Sequence, residues 1–274
     1  MEILDGKKVR EEILEELKAK FKNLNLTLAV IQIGEDAASS IYIGQKEKMC
    51  NNLGINFKHY NFENDVKEEE IIDLINKLNN DETTGILLQL PIPKHLNEQR
   101  ILNTIDYKKD VDGLTNANVA NLVLNENGLV PCTPKGVMTI LKHYNIDLNS
   151  KKVVIIGRSN LVGKPLFNLM LNENATVTLC HSKTKNLKEH TLNADIVVAA
   201  VGKPKFVTED MISDDAVVID VGISRVDGKV VGDVDYDNIK DKASYITPVP
   251  GGVGPMTIAS LAENIYEAYL IQNK

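Results

Sequence analysis

Tyr42 and Lys46 stand four residues apart, so a helix places them on one face, and Met49 and Leu53 continue that face. A lysine in line with an apolar stripe loses hydration when buried. Its pKa then falls and the neutral amine becomes available as a base. The plainer alternative is a lysine whose stem lies along a core helix while its ammonium reaches water. Gly85–Pro91 reads as a short buried strand ending at Pro91, with Gln89 at its carboxyl end. In open α/β sheets that end faces the ligand crevice. Its amide needs a partner, and Lys46 could be one; a glutamine that meets water at a strand end is the alternative. In Lys108-Lys109-Asp110-Val111-Asp112-Gly113, two carboxylates flank a glycine turn. They either build an Asx-turn or offer one buried carboxylate to two N–H donors of an amidine-like ring edge. No cluster of carboxylates or histidines has metal-ligand spacing, so no metal is expected.

A second set of residues points to phosphate. The β-branched run Val153–Ile156 breaks at Gly157, and Gly163 opens an amphipathic segment. A buried strand, a tight turn and a helix N-terminus present free backbone N–H groups and a positive dipole end. Arg158 inside the turn favours a ligand more anionic than a plain dinucleotide. The glycines are five residues apart rather than in G-x-G-x-x-G spacing, and such turns also occur where nothing binds. An NAD-preferring site carries an acid about 20 residues past the turn, at the end of the second strand. Here that place reads Cys180-His181-Ser182-Lys183, with no acid. Ser182 and Lys183, with Arg158, could hold a 2′-phosphate, which favours NADP over NAD. The run Thr247–Thr257, with Pro250, Gly251 and Gly252, is either a rigid connector or a loop that lets backbone approach a ligand closely.

These residues need elements to position them. Val9, Ile13, Leu17 and Phe21 repeat at helical spacing, Leu26–Ile33 reads as a strand, and Gly34-Glu35-Asp36 as a loop. Ser39 and Ser40 suit an N-cap for a helix running to about Leu53, which Gly54 ends. Ile55–Phe62 is a strand, and Ile71, Ile72, Ile75 and Leu78 mark a helix. Beyond the midpoint, Val153–Ile156, Ala175–Leu179, Asp195–Val201 and Val217–Val221 are strands, Val226–Val230 is a hairpin around Asp-Gly, and Ile258–Tyr269 is a closing helix. Alternating strands and helices define an α/β protein with mostly parallel, doubly wound sheet. The length of 274 residues suits two domains joined by short segments near Pro134 and Gly254.

Composition narrows the classes. A formal charge of −7 argues against a nucleic-acid surface. No apolar run approaches the roughly 20 residues of a membrane span, and the charged start Met1–Asp5 does not read as a signal peptide. Cys50, Cys132 and Cys180 form no C-x-x-C pair, which fits reduced thiols in the cytoplasm.

Taken in order, Tyr42–Lys46, Gln89–Pro91, Lys109–Gly113, Pro131–Pro134, Gly157–Pro165, Cys180–Ser182 and Pro250–Thr257 resemble the bifunctional methylenetetrahydrofolate dehydrogenase/methenyltetrahydrofolate cyclohydrolase family across nearly the whole chain. The resemblance implies a catalytic domain of residues 1–134 plus 256–274 and a Rossmann-type NADP domain of residues 135–255, with folate in the cleft between them. It implies Lys46 as the catalytic general acid/base, Gln89 as the residue that orients it, Tyr42 beside the folate, and Asp112 on the pterin. Gly157, Arg158, Ser159, Gly163, Ser182 and Ile223 are implied at the cofactor. Pro250, Gly251 and Gly252 are implied at the nicotinamide and the substrate, a tetrahydrofolate derivative. The family also implies a homodimer and a place in the one-carbon metabolism that serves purine biosynthesis. The rivals are a dehydrogenase of small acids such as shikimate, which shares the two-domain plan without calling for Tyr42, Lys46, Gln89 and Asp112, and a nucleotide-binding protein without turnover.

Overall fold

The computed structural model describes residues 1–34 and 37–274, so Glu35 and Asp36 of the expected loop lie outside the described residues. Along the chain run Glu2–Ile3 (β1), Gly6–Phe21 (α1), Thr27–Ile33 (β2), Ala37–Leu53 (α2), Asn56–Phe62 (β3), Glu68–Asn79 (α3) and Gly85–Leu88 (β4). Glu98–Thr104 (α4), Asn116–Leu124 (α5) and Cys132–His143 (α6) follow. Next come Lys152–Ile156 (β5), Gly163–Asn172 (α7), Thr176–Cys180 (β6), Leu187–Leu192 (α8), Ile196–Ala199 (β7) and Val217–Asp220 (β8). Ser224–Val226 (β9), Lys229–Val231 (β10), Tyr236–Ile239 (α9), Tyr245–Ile246 (β11) and Val253–Gln272 (α10) complete the chain.

Two compact units result, residues 12–132 with 258–274, and residues 1–11 with 133–257. The α/β expectation holds in both. The first unit carries a parallel sheet ordered β3-β2-β4, which reverses direction between β2 and β4. Every residue of β2 is buried, as a central strand covered on both faces requires. One of its cores joins Leu28, Val30 and Leu87 to Leu261, Ile265 and Ala268 of α10. Another joins Ile31 and Ile86 to Ile71, Ile75 and Leu78 of α3, the face that the helical spacing predicts. The second unit carries the parallel order β1-β11-β8-β7-β5-β6, with the reversal between β5 and β7. The β9–β10 ribbon turns at Asp227 and Gly228, both with positive φ, as an Asp-Gly hairpin should.

Several boundaries differ from the sequence pattern for physical reasons. Residues 1–11, expected in the catalytic domain, belong to the second unit because β1 pairs in parallel with β11. The joints expected near Pro134 and Gly254 are helical, for the division falls inside α6 and α10 as well as α1. Helix α10 begins at Val253 rather than Ile258, and it accommodates Pro255 in the first turn, where a missing N–H costs nothing. Ser39 and Ser40 lie within α2 rather than capping it, since the chain is already helical at Ala37 and alanine is the strongest helix former. The strand expected to reach Val201 stops at Ala199. The peptides before Pro91 and Pro250 are cis.

Asn264 is a polar residue in an apolar helix. It is fully buried on α10, and its Nδ2 donates to the carbonyls of Val111 at 2.9 Å and Val130 at 2.8 Å. Asn264→Leu would leave the Val130 carbonyl without that donor and the Val111 carbonyl with only the Cys132 thiol. A loss of about 1–3 kcal/mol in urea unfolding is the expected result, with the m-value unchanged.

Candidate active site and nucleotide-binding edge

The first unit brings Lys46 and Gln89 together. Strand β4 ends at Leu88, and Gln89 continues the ladder by donating its backbone N–H to Ile31 at 2.8 Å. Its side-chain Nε2 donates to the Leu90 carbonyl at 2.8 Å, which turns Oε1 outward. Lys46, in the middle of α2, donates from Nζ to that Oε1 at 2.8 Å. The lysine is buried, with 8% of its surface exposed, so the alternative of an ammonium reaching water does not hold. Met49 and Leu53 are buried on the same helix, while Tyr42 is exposed at its near end.

Asp110 is buried, and its Oδ2 accepts from the Thr115 N–H at 2.8 Å and from Asn118 Nδ2 at 2.9 Å, so it is the turn-former. A parallel bridge between Ile86 and Asp110 sets the start of the 110–113 turn beside β4. Burial pushes the Lys46 amine below its ordinary value, against the opposing pull of Asp112. Burial likewise pushes Asp112 above the usual carboxylate range, against Lys46 and a hydrogen bond from Cys132.

Asn264 is the residue that sequence reasoning passed over: it holds the Val111 carbonyl, the same oxygen to which Cys132, read from sequence only as a reduced thiol, donates from Sγ at 3.4 Å. An asparagine at helical spacing between Leu261, Ile265 and Ala268 was the available signal. All three thiols are buried and in no disulfide, and burial pushes Cys50 up to about 12. Among the described residues no group of three or more His, Cys, Asp or Glu is placed to hold a metal.

A lysine whose folded pKa is depressed lowers stability at neutral pH. Between the folded value and the ordinary 10.5 the unfolded chain binds more protons, so stability rises with pH across that window. Lys46→Met should therefore raise the unfolding free energy at neutral pH, as read in urea titrations.

The second unit carries the other set. Gly157 leaves β5 at φ 120°, and a side chain there would strike the Ala200 carbonyl. Gly163 packs backbone to backbone on Gly157 at the start of α7. Val162, the N-cap, makes no side-chain cap. Ser159 replaces it, its Oγ accepting the Val162 N–H at 3.1 Å and the Gly163 N–H at 3.5 Å. The register pairs Ile156 with Cys180, so Arg158 and Ser182 each lie two residues beyond neighbouring strand ends, and both are exposed. Thr184 shapes the second turn by accepting the His181 N–H at 2.9 Å. Ile223 is exposed just beyond β8. Gly251, at φ 117°, accepts the Lys7 N–H on its carbonyl at 3.2 Å, and Gly252 donates to the Pro248 carbonyl at 2.8 Å, so the Pro250–Gly252 loop is braced from α1. A close backbone turn at the switch point, a helix start and exposed Arg158 and Ser182 fit a dinucleotide with an added phosphate.

A buried lysine beside a carboxylate in one parallel-sheet unit, and a glycine turn at the switch point of another, define a two-unit α/β dehydrogenase. The residues 4–112 match the model of the tetrahydrofolate dehydrogenase/cyclohydrolase catalytic domain, and residues 131–273 that of the NAD(P)-binding domain of the same family. The chain belongs to the tetrahydrofolate dehydrogenase/cyclohydrolase family, as a bifunctional enzyme of one-carbon folate metabolism. A relative from Clostridium novyi, named Bifunctional protein FolD, is 52% identical over 271 residues, covering 96% of this chain and 98% of its own. The crystal structure of the bifunctional FolD dehydrogenase/cyclohydrolase from Campylobacter jejuni superposes with a TM-score of 0.96 at 46% identity, over 99% of both chains. That of Trypanosoma brucei FolD, complexed with NADP cofactor and inhibitor, gives 0.93 at 34%, over 99% of this chain and 98% of that one. Membership sets aside the small-acid dehydrogenase.

Proposed function

We propose that the chain oxidises 5,10-methylenetetrahydrofolate to the 5,10-methenyl compound with NADP, then hydrolyses that product to 10-formyltetrahydrofolate, with Lys46 as general acid/base. The observation that carries this reading is the buried Lys46 amine held on Gln89 Oε1 at 2.8 Å. The NADP bound in the Trypanosoma brucei relative supports the cofactor choice, as do Arg158 and Ser182 and the missing acid after β6.

NADP supplies the hydride acceptor when bound. Gly157, Ser159 and Gly163 shape the turn for its phosphates, Arg158 and Ser182 take the 2′-phosphate, and Ile223 with the Pro250–Gly252 loop lines the reacting end. Asp112 accepts two N–H donors of the pterin edge, and Tyr42 covers the ring. Once the bridging methylene carbon has lost hydride, the product is a cation delocalised over N5, carbon and N10. A protonated lysine would repel it, and burial, by lowering the Lys46 pKa, favours the neutral amine. Water then attacks that carbon and Lys46 takes its proton. As the bond from carbon to N5 breaks, Lys46 returns the proton to N5 and the hydroxyl proton leaves to solvent, so the product is N10-formyl. Gln89 accepts an N–H of Lys46 in either charge state, which leaves the lone pair free to face the water. The same reading places a homodimer in the cytoplasm, supplying formyl groups to purine biosynthesis.

The pH profile tests the role. Hydrolysis of added methenyltetrahydrofolate, corrected for the spontaneous rate, should rise with pH through a single ionisation below 10.5 and then level off. Gln89→Leu should move that limb. A wild-type profile with no such ionisation would remove Lys46 from the step.

A further inference from the structure

The register pairs Ala199 of β7 with Asp220 of β8, so the loops that follow leave adjacent carboxyl ends. Two buried aspartates hold both loops. Asp233 takes three consecutive backbone N–H groups: Val201 at 2.6 Å and Gly202 at 2.9 Å donate to Oδ2, and Lys203 at 2.7 Å donates to Oδ1. Asp220 accepts from Gly222 and Asp233 on Oδ1 and from Val234 on Oδ2, all at 2.9 Å. The arrangement is reciprocal. A side chain on Gly222 would strike the Asp233 carboxylate, and one on Gly232 would strike that of Asp220. Burial pushes Asp220 up to about 6, so this pair costs stability that apolar packing would not.

What the pair holds is the nucleotide edge. The Ala200 N–H donates to the Ile156 carbonyl at 2.8 Å, and Gly157 packs on the Ala200 carbonyl. The loop clamped by Asp233 is thus the floor of the Gly157 turn, and the loop clamped by Asp220 leads directly to Ile223. We propose that Asp233, backed by Asp220, is a positioning residue for the dinucleotide, fixing the loops after β7 and β8 in their binding shape before the ligand arrives. The inference rests on the reading that this edge takes NADP.

Asp233→Asn keeps the volume and turns one acceptor oxygen into a donor facing N–H groups. Gly222→Ala presses on the same carboxylate without changing its charge. In both, the KM for NADP should rise about tenfold or more, while the dehydrogenase kcat and the NADP-independent hydrolysis stay within about twofold. Should Asp233→Asn not fold, as judged by hydrolysis and thermal unfolding, Gly222→Ala decides. An unmoved KM, or kcat and hydrolysis falling in step with it, would overturn the proposal. Calorimetric titration of the wild type with NADP separates the two layers. No binding there sinks the NADP reading and this inference with it, whereas normal binding with unmoved variants sinks the inference alone.

Discussion

Lys46→Ala is expected to lower the hydrolysis of methenyltetrahydrofolate by about 10²–10⁴-fold, the range supplied by a positioned general acid/base. The protein should still fold and still bind NADP. Removing the amine leaves Gln89 Oε1 without the Lys46 donor, but Gln89 is only partly buried and water can replace it. Asp112 loses Lys46, whose protonated form opposes the effect of its burial, so its carboxyl should titrate still higher. The dehydrogenase step needs no proton transfer from Lys46 and should fall less than hydrolysis. A mutant that hydrolyses at the wild-type rate would remove Lys46 from catalysis, whatever its burial.

Gly157→Ala is the second large effect. At φ 120° an L side chain is strained by about 1–2 kcal/mol, and its methyl would meet the Ala200 carbonyl rather than a movable side chain. Overpacking against backbone adds about 1–3 kcal/mol. Spent on the turn, a total of about 3 kcal/mol weakens the dinucleotide roughly a hundredfold. The dehydrogenase kcat/KM for NADP should drop by that factor, with hydrolysis retained because Lys46 and Gln89 belong to the other unit. Calorimetry with NADP reads the binding loss directly. Unchanged affinity would mean that the turn does not carry the phosphates.

Much of the arrangement was legible because its signals are local. Strand β5 breaks at Gly157, the period of α3 marks Ile71, Ile75 and Leu78, and Lys46 lies in register with Met49 and Leu53; each needs only a few neighbouring residues to be read. What stayed hidden depends on pairings between distant segments. The assignment of residues 1–11 follows from two residues of β1 meeting β11, some 240 positions on, and so short an edge strand leaves no period to read. Asp110 could not be read as a turn-former until Thr115 and Asn118 were seen to claim its carboxylate. Asn264, Asp220 and Asp233 act by satisfying backbone groups of other segments, a demand that residue type alone does not express. Ser159 reads as a ligand contact in sequence, yet in the structure its oxygen also caps α7.

The central claim is one chain with two linked activities. The most direct measurement is a coupled optical assay of the purified protein with methylenetetrahydrofolate, offering NADP and NAD separately. The account predicts reduced cofactor with NADP in preference to NAD, and methenyltetrahydrofolate that forms and then decays faster than it hydrolyses spontaneously. Reduction without accelerated decay would contradict the role of Lys46, and no reduction with either cofactor would contradict the account of the nucleotide edge.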